Sequence, residues 1–291
     1  MIDGGDVLLG FVAAAIRVAT PLVLAALGEA VVERGGVINL GVEGSMLAGA
    51  LAAALGATWG GPWAGFAAGG AAGLAVAGVF AAVAIGARAD QIITGTAVTL
   101  GAVGLTGAVY RATLGTAAAG LTIPTFGAGP LGQGAPTWLA LLLAPLTWWL
   151  LFRTRFGLQL RAAGEGREEA EAMGVPVRRV RALAVLAGGM LAGWGGAALV
   201  LAQVGSFAER MTAGRGFIAI AIVVLGRWHP VGVLVAGLLF GAATALQFLF
   251  QAMGLAVPYQ LFLMFPYVLT LLALARGVGG VRAPAELGRN A

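Results

Sequence analysis

The 291-residue chain has no cysteine, no lysine and a single histidine, His229. Without cysteine there is no disulfide and no thiolate metal site, though the compartment stays open on that ground. Without lysine no phosphate loop of the GxxxxGK[ST] type can form, so if ATP drives this protein the nucleotide sits on another polypeptide. Charge is scarce too: 10% of residues are charged and 60% are apolar, with a mean hydropathy of +0.96. Ordinary soluble domains do not have that composition, which is the composition of a polytopic membrane protein. The net charge of +5 does not point to nucleic acid as a partner, because the arginines stand in short loops between apolar runs, as positive-inside bias requires. Asp3 and Asp6 occupy the place where a signal peptide carries basic residues, so no cleavable leader is expected.

Apolar runs approaching the ~20 residues that cross a bilayer follow one another along the chain. The exception is 153–181, RTRFGLQLRAAGEGREEAEAMGVPVRRVR, which holds seven of the seventeen arginines and four of the nine glutamates. Each charge at mid-bilayer costs at least ~2.5 kcal/mol, so this stretch is a water-exposed loop, and its arginine excess makes it cytoplasmic. Counting from it in both directions predicts an all-α helix bundle, one domain over 1–291, with about nine crossings (range about 8–10) and the N-terminus outside. Within the first run Arg17 and Pro21 leave two readings, an interfacial helix over 7–16 with a span starting near Val18, which is favoured, or a continuous run with Arg17 facing the bundle interior. GGP at 60–62 turns the chain between Trp59 and Trp63. Gly61, Gly65, Gly69 and Gly73 then form a four-residue row suited to close helix contact. Residues 111–136 read as an external loop, 217–225 as a half-span and GRWHP at 226–230 as a break. Val231 to Phe250 and Leu261 to Leu274 complete the spans, and Arg276, Arg282 and Arg289 place the tail in the cytoplasm. Glu33-Arg34 before Gly36–Leu40 and Glu209-Arg210 before Gly216–Ile220, on opposite faces, are the trace an inverted repeat would leave.

Two polar patches stand out. Residues 28–44, GEAVVERGGVINLGVEG, interrupt a helix with Gly35, Gly36 and Gly41, and freed backbone is tolerated at depth only where protein or a water-filled cavity covers it. Two readings stay open: a solute pathway in which Glu33, Asn39 and Glu43 bond a polar cargo, or a cytoplasmic loop closed by an ion pair such as Glu33 with Arg34. Residues 166–174, GREEAEAMG, predict a short helix with Glu168, Glu169 and Glu171 at its positive dipole end, bounded by glycines and stopped by Pro176. It is either a docking element for a partner's groove or a solvated loop. Glu209 and Arg210 are expected at an external mouth, either to meet a binding protein or as a solvated loop, and His229 beside Trp228 reads as an interfacial anchor rather than a metal ligand or proton relay. Phe248, Phe250, Phe262 and Phe265 read as lipid-facing or packed surface, with the stacking of one or two on a nucleobase as the lesser reading.

Residues 28–53, GEAVVERGGVINLGVEGSMLAGALAA, resemble the permease subunits of bacterial ABC importers of the branched-chain amino acid, ribose and nucleoside class, nearest to nucleoside and simple-sugar permeases. The second half agrees through 157–181, AGGMLAGWGGA at 187–197 and GRGFIAIAIVVLGRWHPVGVLVAGLLFG at 214–241. The resemblance implies a type II-like importer fold in the cell (inner) membrane and no enzymatic activity in this chain. It also implies a second permease subunit, in a heteromeric pair, two cytoplasmic ATPases that carry ATP and Mg, and an extracytoplasmic solute-binding lipoprotein. Membrane lipid is the remaining partner, and no cofactor or metal is expected on this chain. Glu168, Glu169, Ala170 and Gly174 match the family's EAAxxxG coupling loop, with Glu169 in place of the first alanine. The docking stretch then covers Gly157, Arg161, Gly164 and Glu165 as well. The competing expectations are an ion-coupled carrier using Glu33, Glu43 or Asp90, a branched-chain amino acid permease, or a membrane scaffold.

Overall fold

The computed structural model describes residues 4–113, 123–252, 264, 268 and 283–289. Among them every regular element is helical: α1 (Gly4–Arg34), α2 (Val42–Phe80, continued by a π-turn Ala81–Gly86), α3 (Gln91–Thr113), α4 (Ala135–Arg153), α5 (Arg155–Glu165), α6 (Arg167–Ala172), α7 (Val177–Leu199, continued by a π-turn Val200–Val204), α8 (Arg215–Leu225) and α9 (Pro230–Ala252). Helices satisfy their own backbone groups, which is the condition for crossing hydrocarbon. Six are long and apolar enough to do so.

One of the six is folded back on itself. Gly60 and Gly61 leave helical geometry inside α2, Gly61 at φ +78°, and Pro62 starts the returning limb. The limbs lie side by side: a Cβ on Gly65 would stand 2.5 Å from the Ala53 carbonyl oxygen, and one on Gly69 3.0 Å from that of Gly49. Trp59 and Trp63 flank this turn, 91% and 66% exposed, as expected for an interfacial hairpin tip. The predicted glycine row divides its work, with Gly61 making the turn while Gly65, Gly69 and Gly73 give close contact. Gly73 meets Gly193, and Gly69 meets Ala197, both of α7. This α2–α7 seam is the most extensive helix contact among the described residues. At its crossing point two backbones approach so closely that only glycine fits.

The remaining contacts order the passes. Gly28 lies against Gly188, and Gly195 against the Pro21 carbonyl, so α1 and α7 run antiparallel; Gly237 against Val23 and Gly241 against Ala15 do the same for α1 and α9. With the arginine-rich 153–181 loop inside, the outer end of α7 leads through 205–214 and the half-length α8 back to the cytoplasmic side, where α9 begins. Six long helices, one of them doubled, and one coil-plus-half-helix give eight passes among the described residues. The predicted span Leu261–Leu274 apart from residues 264 and 268, with its Phe262 and Phe265, then Arg276, Arg282 and part of the 111–136 loop lie outside them.

Two expectations are corrected. α1 is one helix across Arg17 and Pro21, without the predicted break near Val18. Proline lacks the N–H that would bond four residues back, and the Arg17 carbonyl so released accepts instead from Gln203 Nε2. The two strings read as repeat traces have different conformations, since 36–40 is the non-helical link between α1 and α2 whereas 216–220 lies inside α8. Their likeness in sequence does not extend to structure.

Candidate functional site

At the end of the bundle expected to face the cytoplasm the basic loop folds into two short helices. Thr154 starts α5, its Oγ1 accepting from Gly157 N at 3.1 Å. The buried positions Gly157, Leu160, Ala163 and Gly164 fall on one face of α5. Leu160 enters a cluster with Val31, Leu151, Val180 and Ala184, and Gly164 lies so close to the Arg34 carbonyl that a side chain has no room. α6 follows with Ala170 buried against Ala163 and Val177. Its end is a Schellman cap: Val175 N bonds Ala170 O at 3.0 Å and Gly174 N bonds Glu171 O at 2.9 Å. Gly174 takes the φ of +81° that this cap requires.

The predicted docking residues therefore divide. Gly157, Gly164 and Ala170 face inward and hold the loop to the bundle, while Glu165, Glu168 and Glu169 face water. Arg161 is half-buried over the Phe152 ring at 5.0 Å. Met173 is 80% exposed and Leu158 61% exposed, so the outer surface combines carboxylates with two apolar side chains. That combination suits a protein partner better than bare solvation.

Deeper in the bundle, residues 35–41 climb back from the end of α1 and tie several helices together. Asn39 N bonds Glu29 Oε1 at 3.1 Å, and Asn39 Oδ1 accepts from Gly41 N at 3.0 Å. Thr99 of α3 donates to Leu40 O at 2.9 Å, and Gln91 Oε1 accepts from Ile38 N at 2.8 Å. Glu43, first-turn residue of α2, caps a different helix. Its Oε1 accepts from Thr212 Oγ1 at 2.6 Å and Gly214 N at 2.9 Å, and its Oε2 from Gly216 N at 2.6 Å. Gly214, the residue at the N-cap of α8, has no side chain to do this, so a carboxylate from α2 meets the positive end of α8. Glu33 accepts from Trp228 Nε1, and Arg34 Nε donates to Trp228 O at 2.8 Å. The two neighbours thus clamp the α8–α9 turn instead of pairing with each other.

Glu33, Asn39 and Glu43 are 2%, 1% and 6% exposed, so in this conformation they bond protein rather than line an open path. Among the carboxylates an ion-coupled carrier would use, Asp90 caps α3 through Ile92 N and Ile93 N, both at 2.9 Å, and Glu43 has three donors. A cavity of about 670 Å³ between the returning limb of α2 and α3 is lined by Val79, Val83, Ile93 and Leu105, with Thr94 its one polar side chain. It offers no recognition for a polar solute.

At the opposite end of the bundle Glu209 pairs with Arg111 of α3 at 2.9 Å, both exposed, and Arg210 beside it is exposed at φ +57°. His229 lies against Phe152 with ring centroids 5.3 Å apart. Burial and the Arg34 charge hold its imidazole below the usual histidine range. Sequence reasoning missed Glu29, Gln91, Thr212, Trp228 and Arg181. The legible signal for Arg181 was its place, the last charge before an unbroken apolar run.

Similarity to known proteins agrees with this layout. The chain is 38% identical to a Haloferax volcanii protein provisionally named as the glucose ABC transporter permease TsgC13, over 85% of this chain and 80% of that one. It is 36% identical to the guanosine ABC transporter permease NupQ of Bacillus subtilis, over 95% and 94%. It is 33% identical to the nucleoside ABC transporter permease NupC of Lactococcus lactis, over 93% of each. No solved structure matches it. A helix bundle that crosses the membrane repeatedly, carries a short capped helix in its basic loop and matches the profile of the branched-chain amino acid transport system / permease component family over residues 11–274 belongs to that family of multi-pass membrane permeases.

Proposed function

We propose that the chain is the membrane permease subunit of an ATP-driven importer whose cargo is a nucleoside, with a simple sugar as the second choice. The observation that carries the reading is α6, a two-turn helix seated on Ala170, ended by Gly174 at positive φ and presenting Glu168, Glu169 and Glu171 to water on the cytoplasmic side. A cytoplasmic ATPase, which carries the ATP and Mg, grips this helix. Closure of the ATPase pair displaces α6 and α5 and rocks the bundle between outward- and inward-open states. The guanosine and nucleoside permeases matched over more than nine-tenths of both chains support the cargo class. Arg111, Glu209 and Arg210 form the rim that receives a solute-binding lipoprotein. A second, different permease subunit completes the path.

The test is co-purification of the permease with an ABC-type ATPase co-expressed from the same genome, followed by ATP-dependent uptake of radiolabelled guanosine and glucose in proteoliposomes. Reversing Glu168 and Glu169 to arginine should abolish the association while the permease still folds. Uptake that continues with ATP hydrolysis abolished and collapses with an ionophore would replace this reading by an ion-coupled carrier.

A further inference from the structure

Arg181 begins the apolar part of α7, and its side chain is 1% exposed. Its guanidinium joins two elements to which α7 is not otherwise hydrogen-bonded at that level: Nε donates to Gly35 O at 2.8 Å, and Nη2 donates to Ala163 O of α5 at 3.0 Å. The C-terminal segment makes the same connection again from below. Glu286 N bonds Gly164 O at 2.9 Å, and Gly288 N bonds Gly36 O at 3.3 Å. Gln91 at the foot of α3 then closes the circuit, its Nε2 donating to Arg289 O at 2.8 Å and its Oε1 accepting from Ile38 N at 2.8 Å. Glu286 also stands beside Arg181, since a Cβ on Gly36 would meet Arg181 Nη2 at 2.9 Å and Glu286 Cβ at 3.0 Å. Six hydrogen bonds thus hold α5, the 35–41 turn and the foot of α3 together. None is part of an α-helical ladder, so nothing in the helices themselves requires them.

We propose that Arg181, Gln91 and residues 286–289 are positioning residues that make α5, the 35–41 turn and the foot of α3 move as one body, so that displacement of the docked helices reaches the turn which ties Glu29 to Asn39 and leads into Glu43, the cap of α8. This rests on the importer reading for the source of the displacement, and the body itself can be judged without it. A guanidinium suits the task because its fixed fork holds two carbonyls at a set separation, whereas a hydrophobic contact at the same place permits sliding. The destination follows from Glu43: once the turn moves, the cap of α8 moves with it, and α8 is the half-helix that completes a pass.

Hydrogen–deuterium exchange on the purified full-length permease, on a chain shortened after Pro284, and on Arg181→Met and Gln91→Ala tests the body directly. Exchange at residues 36–41 and 162–166 should rise together, about three- to tenfold, in the shortened chain and in Gln91→Ala, both of which leave the membrane-spanning helices intact. Unchanged exchange at 36–41 in the shortened chain would overturn the proposal, as would loosening of 162–166 alone. In proteoliposomes with the ATPase, ATP hydrolysed per guanosine imported should rise in the same variants while ATPase co-purification stays at the wild-type level. A wild-type permease that fails to bind any ATPase would remove the importer reading, and the exchange result would still decide whether α5, the 35–41 turn and the foot of α3 form one body.

Discussion

At the scale of single residues the fold depends on carboxylates that act inside the bundle as acceptors for named donors. Glu43→Gln keeps the shape but turns an NH2 group toward backbone N–H donors at the start of α8. An unsatisfied buried donor costs about 1–3 kcal/mol, so a lower melting midpoint in detergent is expected, with a smaller drop for Thr212→Ser. Trp228→Phe removes the indole donor to Glu33 and leaves that buried carboxylate without it. The loss should again be about 1–3 kcal/mol, and pairing it with Glu33→Met should recover much of it, since an apolar pair needs no donor. His229 carries the pH prediction. Its pKa lies lower in the folded protein than the unfolded value of ~6.5, so protonation favours the unfolded chain. Stability is then constant above ~6.5 and falls as pH drops below it. Melting curves from pH 7.5 to pH 5 should show that decline, and His229→Asn should flatten it.

Among the elements, α6 and the α2–α7 seam make opposite demands on their glycines. Gly174→Val forces a β-branched residue into left-handed backbone at about 1–2 kcal/mol or more, but α6 is peripheral. Global melting should barely move while ATPase association weakens. Gly193→Leu, by contrast, drives a side chain into the backbone of the returning limb of α2 near Gly73. Overpacking there has no flexible side chain to yield, and the protein should disappear from the membrane fraction. Comparing the two by fluorescence-detected size exclusion separates a glycine needed for its torsion from one needed for its missing Cβ. α5 was not legible as a helix of its own, because its charges, Arg155, Arg161 and Glu165, obscure a buried face of only four positions.

For the whole molecule the prediction is topology, and the chain's lack of cysteine makes it simple to test. Single cysteines at Glu168 and at Trp59, labelled with a membrane-impermeant maleimide in intact cells, should react only after permeabilisation at the first position and directly at the second. Reversal of that pattern would remove the cytoplasmic docking site. By itself the sequence determined the class and the short helix within the basic loop, because hydrocarbon refuses charge residue by residue and glycines bound the helix at 166 and 174. It also marked the hairpin at Gly60 and Gly61 and the half-span of α8, both written in local glycine and length. Only the tertiary structure decided what the polar residues bond. Glu43 caps a helix more than 170 residues ahead in the chain, Arg34 holds Trp228, and Arg181 reaches back to Gly35. Spacing along a helix says which face a residue shares, but not which distant donor or carbonyl that face will meet.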